Sequence, residues 1–103
     1  MHKQSQLHSN YFEAVIQLRP YDLEVHTLVR KWVEKDDAFI SREVKVKGGV
    51  DIYISSYKVA KKIGKRLSRT FEGILKVSYT LFGLDNQRSK NLYRTTVLFK
   101  RQA

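Results

Sequence analysis

The chain has 103 residues, 42% of them hydrophobic, and a formal net charge of +10. This length fits one domain, and the periodic apolar segments argue against disorder. The sequence contains no cysteine, which excludes disulfides and thiolate metal sites within it. No apolar run approaches the roughly 20 residues that cross a bilayer, so we expect a cytoplasmic protein without a membrane partner. Such a charge excess is typical of domains that contact nucleic acid.

The first third of the chain predicts a leader, a strand and a helix. Residues 1–10 are polar and aperiodic, which indicates a flexible leader or linker before a single domain over residues 11–101. Alternating apolar positions over residues 11–19, Phe12 among them, predict a strand that ends at Pro20. Asp22 is the predicted N-cap of a helix from about Leu23 to about Lys35.

The middle third predicts a hairpin and a second helix. Residues 39–47 and 50–54 alternate in hydropathy on either side of a Gly48-Gly49 turn. Ser55 and Ser56 are candidate N-caps for a helix whose apolar stripe is Val59, Ile63 and Leu67, with Phe71 as a further candidate member. Gly73 fits a C-terminal cap of that helix.

The last third predicts two strands, over residues 74–82 and 92–101, joined by a polar loop over residues 83–91. The resulting order is β-α-β-β-α-β-β. This pattern predicts an α+β fold, with a mixed or antiparallel sheet and both helices on one face. The first six elements match the split β-α-β plan, and we expect the last strand to extend the sheet.

Catalytic chemistry has little support in the sequence. The carboxylates Glu13, Asp51, Glu72 and Asp85 lie in different elements, and the first two are typical structural hydrogen-bonding residues. There is no G-x-S-x-G, H-E-x-x-H or Walker motif. His2, His8 and His26 are not grouped as metal ligands are. We therefore expect no enzyme activity, no metal and no cofactor.

The second helix carries the strongest functional signal. Six cations fall opposite its apolar stripe, and no acidic residue interrupts them: Lys58, Lys61, Lys62, Lys65, Arg66 and Arg69. A solvated helix face usually mixes Glu with Lys in i,i+4 pairs. An unbroken cationic face instead suits the phosphate backbone of RNA, because each contact releases counterions.

The last hairpin forms a second basic patch of Arg88, Lys90, Arg94, Lys100 and Arg101, of which the first three are candidate RNA-binding residues. A third basic patch consists of Arg42, Lys45 and Lys47. Arg94 can grip a phosphate bidentately, although a cross-strand ion pair would explain it equally well. Tyrosines could also stack on unpaired bases, but no ribonucleoprotein motif is present. Recognition of the RNA backbone and shape is therefore favoured over stacking.

Several ordered segments resemble the family of large-ribosomal-subunit export adaptors that is named for nonsense-mediated mRNA decay protein three. They are similar to the family patterns Y-x-E-A-x-x-Q-x-R, G-G-I-D-x-Y/F, S-x-x-L, G-x-D and Y-R-x-T-V. In this chain they lie at Tyr11–Arg19, Gly48–Tyr53, Ser78–Leu81, Gly83–Asp85 and Tyr93–Val97. The spacing is closer to archaeal members than to eukaryotic ones.

The resemblance implies binding to the large ribosomal subunit and its RNA in a role in subunit maturation, with ribosomal proteins as further candidate partners. It also implies a ribosomal-protein-like α+β fold downstream of a zinc module built from C-x-x-C pairs. Because the chain has no cysteine, no zinc site is carried over. We expect a monomer, since a charge this large disfavours self-association. Two alternatives stay open: a protein-interaction domain that binds an acidic ribosomal protein or translation factor, and a small enzyme.

Overall fold

A computed structural model describes residues 11–85 and 90–102. The elements, in chain order, are β1 (Ala14–Arg19), α1 (Leu23–Lys35), β2 (Ile40–Val46), β3 (Gly49–Ile54), α2 (Tyr57–Thr70), β4 (Gly73–Asp85) and β5 (Lys90–Arg101). This order confirms the predicted α+β arrangement, and α1 has the predicted bounds.

The five strands form one mixed sheet in the order β2-β3-β1-β5-β4. β1 pairs antiparallel with β3 and parallel with β5. The expectation that the last strand extends the sheet was wrong, because β5 lies between β1 and β4. β5 buries Thr95, Val97 and Phe99, whereas β4 exposes Lys76 and much of its length, as suits an edge strand.

Both helices pack on the same face of the sheet, which we call the helix-covered face; the other is the open face. Among the residues that the structure describes, 14 buried apolar side chains form the core between them, including Ile16, Ile52, Val97, Ile63 and Leu67. Complete burial of such a side chain stabilises the fold by about 1.5–3 kcal/mol. Alternating strand residues lie on the open face, and some of them, such as Val15 and Tyr53, are half-buried.

The helix starts follow the sequence prediction, whereas the end of α2 does not. The side chains of Asp22 and Ser56 accept hydrogen bonds from the backbone N–H groups of Val25 and Val59, both at 3.2 Å. Gly73 is not the cap of α2, which ends at Thr70 with Phe71 in extended conformation. Gly73 instead begins β4, where a Cβ would stand 2.5 Å from the carbonyl oxygen of Lys100.

The connection between the last two strands is shorter than predicted. The expected loop over residues 83–91 is largely strand, because β4 continues to Asp85 and β5 starts at Lys90. The pairing shifts register between Leu81 and Gly83, which lets the ladder continue through the glycine. Residues 86–89 lie outside the described residues.

Candidate nucleic-acid interface

The α2 helix presents the predicted cations on the side away from the sheet. Its buried side consists of Ala60, Ile63, Gly64 and Leu67. A helical repeat of 3.6 residues places the cations on the opposite side and its flanks. Four of them are exposed, namely Lys58, Lys62, Lys65 and Arg69, and the other two, Lys61 and Arg66, are half-buried.

Three of these six cations are held by neighbouring elements. The ammonium of Lys62 lies 3.6 Å from a carboxylate oxygen of Asp36, at the end of α1. The guanidinium of Arg66 lies 5.2 Å from the ring centroid of Trp32. On the other flank, Lys61 Nζ lies 5.4 Å from the ring centroid of Tyr79. These contacts orient the two edges of the cationic face.

The other three cations, Lys58, Lys65 and Arg69, have no ion-pair partner among the residues whose side chains the structure describes, 11–81 and 93–102. No acidic residue occurs in α2, so no i,i+4 carboxylate neutralises them. They form the outermost row of the helix, which we call the α2 cation row. This row projects positive charge into solvent, and a polyanion could approach it without displacing an existing ion pair.

Of the three hairpin residues, Arg94 is the one whose side chain the structure describes. It lies on the open face, and its guanidinium stacks 3.9 Å from the ring centroid of Phe12. Lys90 is the first residue of β5, and Arg88 falls outside the described residues. Arg94 is therefore on the opposite side of the sheet from the cations of α2 and does not form one surface with them.

The open face carries two adjacent aromatic rings flanked by two cations, a group that was not predicted from the sequence. Arg42 stacks 4.3 Å from the centroid of Tyr53, whose ring meets Phe12 edge-on at 4.8 Å. Arg94 covers Phe12 in turn. The expectation that Phe12 shares the core face of β1 was wrong, because Phe12 precedes the regular strand and turns towards Tyr53. Strand register was needed to bring these four residues together.

A second group that sequence reasoning undervalued lies on the helix-covered face, beyond the start of α2. Tyr79, Leu81 and Tyr93 belong to the paired strands β4 and β5, and their exposed fractions are 56%, 55% and 54%. A strand of 13 residues extends about 43 Å, whereas a helix of 14 residues extends only about 21 Å. Comparing these lengths could have indicated that the hairpin extends beyond the helix.

Two of the four candidate catalytic carboxylates, Glu13 and Asp51, have structural partners, as expected. Glu13 Oε1 accepts a hydrogen bond of 2.9 Å from the backbone N–H of Tyr57, the first residue of α2. Its other oxygen accepts from the hydroxyl of Tyr11, which, with burial, raises the pKa of Tyr11 to about 12. Asp51 pairs with Arg19 at 2.6 Å. Each carboxylate therefore fixes one strand to a neighbouring element.

The buried His26 is likewise part of a structural network. Its ring nitrogens lie 3.1 Å from the hydroxyl of Tyr21 and 3.1 Å from a carboxylate oxygen of Glu43. Arg30 donates two hydrogen bonds to the same carboxylate, and these hold the pKa of Glu43 below its ordinary value. No group of three potential metal ligands occurs among the described residues.

One shallow depression lies beside the start of α1, lined by Pro20, Asp22, Arg101 and Gln102. Its charged groups already pair with each other, because Arg101 donates to Asp22 at 2.8 Å and to Glu24 at 3.0 Å. In the part of the chain that the structure describes, neither helix is long and apolar enough to cross a membrane.

Fold and surface together define the class of this protein. It is a small basic domain in which a split β-α-β core receives one additional inner strand, and one side of a single helix carries six cations. The arrangement offers surfaces for binding, since Glu13, Asp51 and the buried His26 are engaged in holding the fold.

The family follows from sequence comparison. The family model described as NMD3, second domain, matches residues 11–100. The chain therefore belongs to the NMD3 family, a family of non-enzymatic adaptors that act in export of the large ribosomal subunit. This confirms the resemblance found in the sequence. A comparison with curated proteins gave no match.

Proposed function

We propose that this domain binds ribosomal RNA of the large subunit through the α2 cation row, as a non-catalytic module of an adaptor protein. The observation that carries the proposal is the exposure of Lys58, Lys65 and Arg69 on a helix without acidic residues. Each phosphate contacted by such a cation releases a condensed counterion, so affinity arises without sequence recognition.

The family supports this partner. NMD3 family members associate with the large ribosomal subunit, whose surface is rich in RNA phosphates. Arg88, Lys90 and Arg94 remain proposed secondary contacts. Because Arg94 is on the open face, it would reach a different RNA segment from the one on α2. We further propose a cytoplasmic, monomeric, archaeal-type member that needs no cofactor.

A protein partner is the second candidate function, and the open face favours it. The half-buried apolar side chains of Val15, Val44 and Leu98 lie there among the cations Arg42 and Lys76. Their mixture of apolar area and positive charge suits an acidic ribosomal protein or translation factor.

The test is binding of the domain to purified large ribosomal subunits over a salt series. The variant carries Lys58→Glu, Lys65→Glu and Arg69→Glu. The matched control carries Lys31→Glu, Lys45→Glu and Lys100→Glu, which changes the net charge equally at exposed sites on α1, β2 and β5. Circular dichroism and thermal unfolding verify that both variants fold.

We expect the wild-type domain and the control to bind, with affinity falling steeply as salt rises, and the α2 variant to lose at least about 30-fold in affinity at low salt. Equal binding by the two variants would overturn the assignment to α2. Binding that persists after nuclease treatment of the subunits would favour the protein partner on the open face.

A further inference from the structure

The three exposed residues Tyr79, Leu81 and Tyr93 form a continuous patch, which we call the aromatic patch. Leu81 and Tyr93 are directly opposite each other in the β4–β5 ladder, and Tyr79 is opposite Thr95, two residues further along β5. Directly opposed side chains share a face, and diagonal neighbours are about 7–8 Å apart or less. The two tyrosines are therefore diagonal neighbours on one face, and Leu81 is adjacent to both of them.

The patch is exposed because α2 starts too late along the sheet to cover it. The first residue of α2, Tyr57, donates its backbone N–H to Glu13, and the carbonyl oxygen of Glu13 accepts from Thr95. The helix thus begins at the level of Thr95, where the buried part of β5 also begins. Tyr93 and Leu81 lie past that level, where no helix covers them.

Charge around the patch identifies the kind of partner. Lys61 lies over the ring of Tyr79, and Lys58 is one helical turn nearer to the start of α2. An apolar protein surface would have to cover these ammonium groups, which costs desolvation energy. An RNA segment with unpaired bases offers both features at once, because its phosphates suit the lysines and its base faces suit the rings.

We propose that the aromatic patch stacks unpaired bases of the RNA whose phosphates contact α2. The inference rests on the proposed function and adds a ligand class to it: an RNA with a bulge or loop next to a paired stem. The two rings would take one base each. Recognition of the stem by α2 is independent of sequence, whereas the aromatic patch selects for unpaired nucleotides at a fixed distance from the stem.

The test compares two RNAs of equal length and charge, a blunt duplex and the same duplex with a two-nucleotide bulge that contains 2-aminopurine. The variant is Tyr79→Thr with Tyr93→Thr, because threonine retains strand propensity. The control is Ile74→Thr, which removes a similarly exposed side chain (51%) from the open face of the same strand. Thermal unfolding checks that both variants fold, and a milder pair, Tyr79→Leu with Tyr93→Leu, serves if the threonine variant does not fold.

We expect the wild-type domain and the Ile74 variant to bind the bulged RNA at least about tenfold more tightly than the duplex and to quench 2-aminopurine fluorescence. A tenfold factor is near the lower end of the gain in affinity that stacking of one or two bases provides. The tyrosine variant should lose the preference and the quenching but retain its affinity for the duplex.

Equal wild-type affinity for both RNAs, or an unchanged preference in the tyrosine variant, would overturn the inference while leaving the role of α2 intact. Conversely, if the variant with glutamates at the α2 cation row binds duplex as well as the wild type does, the proposed function fails, whatever the tyrosines do. Loss of subunit binding by the tyrosine variant with unchanged RNA preference would assign the patch to a ribosomal protein and refute base stacking.

Discussion

Gly64 of α2 lies directly against Val97 of β5: a Cβ built on Gly64 would stand 2.8 Å from Cγ1 of Val97. It would also stand 3.0 Å from a methyl group of Leu75, and both distances are shorter than the usual contact between carbon atoms of about 3.5–4.0 Å. The missing side chain therefore lets α2 approach the sheet closely. This contact also determines which side of the helix is left to solvent, and hence where the α2 cation row points.

Replacing Gly64 with alanine should destabilise the protein even though alanine favours helix formation by up to about 1 kcal/mol. The added methyl group must push Val97 or the helix away, and overpacking of this kind costs about 1–3 kcal/mol. The free energy of unfolding, measured in urea, should therefore fall by about 1 kcal/mol. Ser68→Ala, on the exposed side of the same helix, should not destabilise the protein. A Gly64→Ala variant more stable than wild type would show that α2 is not held this closely.

Acid should weaken the link between Glu43, His26 and Arg30. Hydrogen bonds from Arg30 lower the pKa of Glu43 below its ordinary 4.5. A carboxyl group with a lowered pKa in the folded state stabilises the fold above its ordinary pKa, and this contribution disappears as the pH falls through the lowered value.

Glu43→Gln should therefore be less stable than wild type at pH 7, by about 1 kcal/mol at most because the side chain of Arg30 is half exposed. The difference in unfolding free energy between wild type and Glu43→Gln should shrink as the pH falls below 4.5. Unfolding of both proteins in urea at pH 7, 5, 4 and 3 measures this difference. A difference that does not change with pH would mean that the charge of Glu43 contributes nothing.

The two helix caps should differ in their contributions to stability. Ser56 accepts one backbone hydrogen bond, and Ser56→Ala should cost about 1 kcal/mol. Asp22 both caps α1 and pairs with Arg101 at 2.8 Å. Asp22→Ala should therefore lower the free energy of unfolding by more than Ser56→Ala does. Asp22→Asn retains the cap but removes the charge. The difference in unfolding free energy between the Asn and Ala variants therefore isolates the contribution of the capping hydrogen bond. Equal losses for Asp22→Ala and Ser56→Ala would indicate that Arg101 adds no stability.

Single neutral substitutions in the α2 cation row should change the salt dependence of RNA binding. Each phosphate contact adds about 0.7–0.9 to the slope of log affinity against log salt. Lys65→Gln should therefore lower the slope by nearly one, whereas Lys45→Gln, an exposed lysine of β2, should leave it unchanged. Titrations by fluorescence anisotropy between 50 and 200 mM salt measure both slopes. Equal slopes for the two variants would mean that Lys65 does not reach a phosphate.

The sequence was sufficient to predict the elements that depend on local periodicity and capping. α1 has the predicted bounds, and the side chains of Asp22 and Ser56 cap the helices as expected. The cationic side of α2 was also predictable, because helical geometry places every cation of residues 58–69 opposite or beside Ile63 and Leu67. The family was recognisable from the same short segments that form β1, the β2–β3 turn and β5.

Only the tertiary structure decided the features that depend on which strands are neighbours. The position of β5 between β1 and β4 follows from long-range pairing, to which local patterns are insensitive. That position places Arg94 against Phe12 on the open face, and it carries Tyr93 and the opposite residue Leu81 past the start of α2. Periodicity tells which residues share a face of a strand, but the exposure of that face depends on where the helix above it begins. The charge on the exposed side of α2 therefore followed from the sequence alone. The aromatic patch beside it exists because the strands of the β4–β5 hairpin are longer than the helix that covers them.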